Sequence, residues 1–117
     1  MKNKIETMKQ LTDLWYNYVG RDHHKDRDCH FYIETDFRYD GDVVFNAIHN
    51  GYVAKEFSIE CQSYESCLNV LINELYNQIK YYLKNERKRL KHGESEISEE
   101  EITSLEKRLN KIKEAIS

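Results

Sequence analysis

The chain reads as an α+β protein: a helix, a three-stranded antiparallel meander sheet, a long helix and a C-terminal helix, in the order αβββαα. Three observations carry that reading. Apolar residues recur every three or four positions near both ends of the chain. Between residues 31 and 61 they alternate with polar ones, and Asp40-Gly41 and Asn50-Gly51 divide the alternation into three runs.

The first helix is expected over residues 3–19, where Ile5, Met8, Leu11, Leu14, Trp15, Tyr18 and Val19 form one stripe. Gly20 stands where a left-handed C-terminal cap would fall. Residues 21–28 hold no apolar side chain and read as an exposed loop. Asp-Gly and Asn-Gly both suit two-residue type I′ turns, because each can place two successive residues at positive φ. Turns of that length fix the strand pairing. Phe37 then opposes Val44, which opposes Phe57; Ile33 opposes Ile48, which opposes Val53. Alternation puts Phe31, Ile33, Phe37, Val44, Ile48, Val53, Phe57, Ile59 and Cys61 on a core face. The outward face receives Tyr32, Glu34, Asp36, Arg38, Val43, Phe45, Ala47, His49, Tyr52, Ala54, Glu56, Ser58 and Glu60.

Ser63 suits the N-cap of the next helix, with Glu65 in its first turn. Leu68, Leu71, Ile72, Leu75, Ile79, Leu83 and Leu90 carry its stripe as far as Gly93. At ~1.5 Å per residue this helix runs ~40 Å and overshoots a short sheet, so something must cover its far end. The last segment supplies the cover. Ser98-Glu99-Glu100-Glu101 is a capping box, Ile97 and Ile102 form the accompanying staple, and Ile102, Leu105, Leu109, Ile112 and Ile116 make a seam. Residues 1–117 are thus expected to form a single α+β domain: helix plus sheet over 1–62, and an antiparallel helical hairpin over 63–117.

Bulk properties limit the function classes. With 117 residues the chain can bury one core, and 33% charged residues coexist with clear apolar patterning. No apolar run nears the ~18 residues of a membrane span, and the Met-Lys-Asn-Lys start lacks a secretory apolar segment, so the expected location is the cytoplasm. Three cysteines without CxxC spacing read as reduced thiols. Net charge is −3, unevenly spread: residues 30–62 hold two basic residues against six acidic, and residues 63–93 six basic against three acidic.

Catalytic chemistry finds little purchase. Asp22-His23-His24 matches a phosphoesterase tripeptide but lacks the further acidic motifs and the larger framework that chemistry needs. Cys29 and His30 with His23, His24, Cys61 or Cys67 offer zinc donors without ribbon or finger spacing, so a small metal-binding protein is a minor alternative. Glu34 and Asp36 share a face, but an open sheet gives no cleft for acid–base work. The expectation is a non-enzyme with no cofactor and no bound metal.

The order helix, three strands, helix over about residues 5–80 resembles the double-stranded RNA-binding domain. The segment Gln62-Ser63-Tyr64-Glu65-Ser66, at the start of the second helix, carries no basic residue for that family's phosphate contacts. The same order, with an acidic sheet and two C-terminal helices, also looks like small phage-encoded inhibitors of the type II-A anti-CRISPR kind. The matching segments are residues 3–19, the hairpins at Asp40-Gly41 and Asn50-Gly51, and the helix opening at Ser63-Tyr64-Glu65-Ser66. That resemblance implies a phage or mobile-element inhibitor of a host defence or nucleic-acid-handling protein.

The sequence therefore predicts a protein-interaction module. Tyr32, Glu34, Asp36, Phe45, Tyr52 and Glu56 would meet a partner with a basic surface, and a second copy of the chain is another candidate occupant. The alternative is a nucleic-acid binder using Arg87, Lys88, Arg89 and Lys91, a cluster that dipole compensation at a helix end would also explain.

Overall fold

The computed structural model describes residues 3–20, 30–50 and 55–116, with the side chains of residues 55, 56 and 116 outside the description. Helix α1 (Lys4–Leu14) is capped by Asn3, whose side chain accepts the Ile5 N–H, and continues as a π-helical turn over Trp15–Val19. Three antiparallel strands follow in the order β1 (His30–Phe37), β2 (Val43–Asn50), β3 (Lys55–Cys61). Helices α2 (Tyr64–Lys91) and α3 (Glu99–Ile116) complete the chain, so the element order is the predicted αβββαα.

Most of the predicted termini hold. The Ser63 hydroxyl accepts the Ser66 N–H at 3.0 Å, and the Ser98 hydroxyl accepts the Glu101 N–H at 3.2 Å. Gly93, at φ 70°, ends α2: the Glu94 N–H reaches the Arg89 carbonyl and the Gly93 N–H reaches that of Leu90. That pair of bonds is a Schellman motif. Gly20 differs from its expected role. Its φ is −105°, so it is no left-handed cap, and its N–H bonds the Trp15 carbonyl at 2.7 Å to close the wide turn. It must be glycine for space: an added Cβ would lie 2.2 Å from the Trp15 ring.

The predicted register does not hold, and the reason is local. A two-residue I′ turn needs positive φ at both central residues, yet among the described residues only Gly41 and Gly93 take positive φ. The chain instead makes a three-residue loop. The Gly41 N–H bonds the Arg38 carbonyl at 3.1 Å, Gly41 swings to φ 88°, and the Arg38 N–H closes on the Asp42 carbonyl at 2.8 Å. The extra residue makes Phe37 oppose Val43 and Ile33 oppose Ala47. At the second reversal Asn50 pairs with Lys55, after an irregularity at His49/Asn50, so Asn50-Gly51 is not a two-residue turn. Gly51, Tyr52, Val53 and Ala54 lie outside the described residues.

A one-residue slip exchanges the two faces of a strand. Strands β1 and β3 keep their predicted faces, but β2 turns Phe45, Ala47 and His49 toward the helices and Val44 and Ile48 away. Helix α2 covers the inner face, packing Cys67 and Leu71 on Ala47, whose small side chain allows the close approach. Helix α1 lies beside α2, not over the outer sheet face: Lys4 meets Glu65 and Trp15 meets Gln78, so the two run parallel. Helix α3 runs antiparallel to α2, with Arg87 at Thr103 and Glu106 while Tyr76 lies under Lys113. Leu11, Leu14, Leu75, Ile79, Leu83, Ile102, Leu105 and Leu109 fill the three-helix core that covers the overshooting end of α2. An aromatic cluster joins the two cores. His49 stacks on Phe31 at 4.0 Å, and the Trp15 edge meets Phe31 at 5.1 Å and His49 at 5.4 Å.

Candidate functional site

The register change breaks up the predicted binding panel. Tyr32, Glu34 and Asp36 do lie on the outer face of β1. Phe45 lies on the opposite face, in the core with Ala47, Cys67 and Leu71, and so cannot anchor a partner on the outer face. Tyr52 lies outside the described residues, as does the side chain of Glu56. The outer face is also not uniformly open. Ile48, between Tyr32 and Ser58, is 1% exposed, whereas Glu34, Ser58 and Glu60 are exposed.

The open part of the sheet is its far end. Strand β3 stops at Cys61, opposite Phe45, and α2 starts three residues later. The β1–β2 hairpin runs on past that point with neither strand nor helix to cover it. Phe37 and Val43, paired across the hairpin on the helix-side face, are left 79% and 43% exposed, and Tyr39 in the loop is fully exposed. Alternation in the sequence assigns Phe37 to the core and gives Tyr39 no role. The available signal was a mismatch of lengths, since the hairpin outlasts the strand ahead of the Ser63 cap.

Asp40 and Asp42 belong to the loop at this tip, and Glu34, Asp36 and Glu60 lie behind Phe37 on the opposite, outer face. Arg38 is the cation among them, bonding Asp36 at 3.5 Å and pairing with Glu60 across the outer face. The Glu60 charge, with Asp36 behind it, raises the Arg38 guanidinium above its ordinary pKa. Arg38 is thus already committed, and the tip as a whole is acidic. Exposed aromatic side chains within a negative field can anchor and steer a positively charged surface.

The basic cluster of the alternative reading is divided by the helix. Arg87 forks onto Glu106 and Thr103 of α3, and Arg89 turns to Glu86 at 3.2 Å. Lys88 and Lys91 remain exposed. The described thiols are Cys61 and Cys67, both free. Burial, followed by the neighbouring Cys61, pushes the Cys67 thiol up to about 12, which keeps it protonated and unreactive near neutral pH. His30 stacks on Tyr32 at 4.9 Å, while His23, His24 and Cys29 of the zinc reading lie outside the described residues. No group of three metal-donor side chains converges among the described residues. No helix is long and apolar enough to cross a membrane among those residues.

Comparison with family models, with curated proteins and with solved structures returns no match to this chain, so its function has to be argued from these surfaces.

Proposed function

We propose that the protein is a non-enzymatic interaction module that holds a partner protein on the acidic, aromatic tip of its β1–β2 hairpin. The observation that supports this most is the exposure of Phe37 at 79%, beside a fully exposed Tyr39, with Asp40 and Asp42 in the same loop. Large apolar side chains held out on the hairpin cost solubility and gain nothing in the isolated fold. They gain area once a partner covers them, and the carboxylates select a basic surface. A partner that straddles the tip also meets Tyr32, Glu34, Asp36 and Glu60 on the outer face. Proteins that handle nucleic acid carry basic surfaces of this kind, so inhibition of such a host protein by a phage or mobile element, in the cytoplasm, is the biological role proposed.

The test is affinity capture from a bacterial lysate in parallel with wild type and with Phe37→Ala/Tyr39→Ala. One basic protein should be held at low salt by wild type, lost from the double variant and released by high salt. Retention of the same partners by the variant, or capture of acidic proteins alone, would remove the hairpin tip from consideration.

A further inference from the structure

The geometry points to a second surface: a lysine-lined groove between α2 and α3 that binds the phosphate backbone of a nucleic-acid duplex. The groove, of about 710 Å³, is walled by Lys80, Lys84, Lys88 and Lys91 on α2 and by Lys107 on α3. None of these five lysines has a carboxylate within ion-pair distance among the described residues. The one acid in the groove, Glu106, is taken by Arg87.

Helix stability does not explain the row. Compensation of the helix dipole acts only within the last turn, which covers Lys88 and Lys91 but not Lys80 or Lys84. Like charges four residues apart repel, so the series 80, 84, 88 works against the helix that carries it. An arrangement that costs the free protein stability and repeats along one face has the form of a contact surface for something negative.

The exposed side chains of the groove select its occupant. Its walls are apolar, from the Tyr76 ring and the lysine stems, but Leu83 and Leu109 at its floor are buried and Tyr76 is half-buried under Lys113, so no exposed apolar side chain lines it as an anchor for a protein partner. It offers flexible point charges instead, which suit phosphates. From Lys80 to Lys91 the row spans roughly 17 Å at ~1.5 Å per residue. That is the length of about five phosphates of one duplex strand at ~3.4 Å each. Binding of this kind reads backbone, not base sequence. The groove lies on different elements from the hairpin tip, so either surface can fail without the other.

Fluorescence anisotropy of the full chain with a labelled DNA duplex tests this. If all five lysines neutralise phosphates, affinity falls about 500-fold between 50 and 200 mM salt. Lys80→Gln/Lys84→Gln/Lys88→Gln should reduce the logarithmic salt slope by about 3 and abolish binding at 200 mM salt. Lys9→Gln/Arg108→Gln/Lys111→Gln removes as many charges from other faces and should leave both unchanged. Circular dichroism confirms that each variant is folded. Absence of binding at 50 mM salt overturns the proposal, as does an unaltered slope in the first variant. Polyglutamate competing as well as duplex at equal charge would also overturn it, since the groove would then be a site for acidic protein.

Discussion

Glu86 is 2% exposed, and one oxygen of its carboxylate accepts both the Ser95 hydroxyl at 2.8 Å and the Glu96 N–H at 3.0 Å. A side chain in the last two turns of α2 therefore fixes the turn that leads into α3, while Arg89 meets its other oxygen. The single Ser95 hydroxyl proton is shared with the Ile97 carbonyl at 2.7 Å, and Ser95 Oγ accepts the Ile97 N–H at 3.3 Å, which sets the staple residue against the core. Removing the carboxylate leaves the part-buried Glu96 N–H without its acceptor and the Ser95 hydroxyl with the Ile97 carbonyl alone. Glu86→Ala should cost about 2–4 kcal/mol in urea unfolding, and Ser95→Ala about 1 kcal/mol. An Ala variant within 0.5 kcal/mol of wild type would show that the turn holds without this clasp.

Gly20 and Gly41 should respond differently to the same substitution. At Gly20 the new methyl group collides with the Trp15 ring, which is packed on Phe31 and His49 and cannot move cheaply. At Gly41 nothing lies within 4 Å, and the cost is only that of holding φ at 88°. Gly20→Ala should lose about 1–3 kcal/mol and disturb the near-ultraviolet signal of Trp15. Gly41→Ala should lose about 1–2 kcal/mol and leave that signal alone.

The two phenylalanines of the hairpin reverse the expectation drawn from sequence. Phe45, expected outside, should cost about 2 kcal/mol on truncation to Ala, because it is half-buried beneath α2. Phe37, expected inside, should be neutral to about 0.5 kcal/mol. Thermal melts of the two single variants check both. A larger loss at Phe37 than at Phe45 would return β2 to the register that a two-residue turn demands.

Cys67 should set an alkaline limit on stability. Its native pKa is raised to about 12, against roughly 8.5 for an unfolded thiol. Between those values the unfolded chain has released the proton and the native one has not, so the native state binds more protons and stability falls as pH rises. Below about pH 8 the contribution is fully present. Unfolding midpoints measured from pH 8 to 11 should decline less steeply in Cys67→Ala than in wild type. Thiol reagents at pH 8 should label native Cys61 well before Cys67.

Local chemistry made most of the architecture legible in the sequence. The stripes of α1, α2 and α3, the caps at Ser63 and Ser98, the stop at Gly93 and the alternation of β1 and β3 are each set by near neighbours along the chain. The same holds for the acidity of the sheet. What the sequence left undecided was which of two closely matched hairpin loops Asp40-Gly41 would form. Either loop offers β2 an apolar face, Val44 and Ile48 or Phe45 and Ala47, so alternation alone could not choose between them.

Tertiary packing decided that choice. Only the longer loop places small Ala47 under Cys67 and Leu71, where α2 must cross closely, and brings His49 into the stack with Phe31 and Trp15. It also decided the candidate surfaces. Whether Phe37 is core or contact depends on where β3 ends relative to α2. Whether Arg87 is a free cation depends on Glu106, nineteen residues away. Contacts at that range form only once the elements dock, and for that reason the chain's own pattern does not announce them.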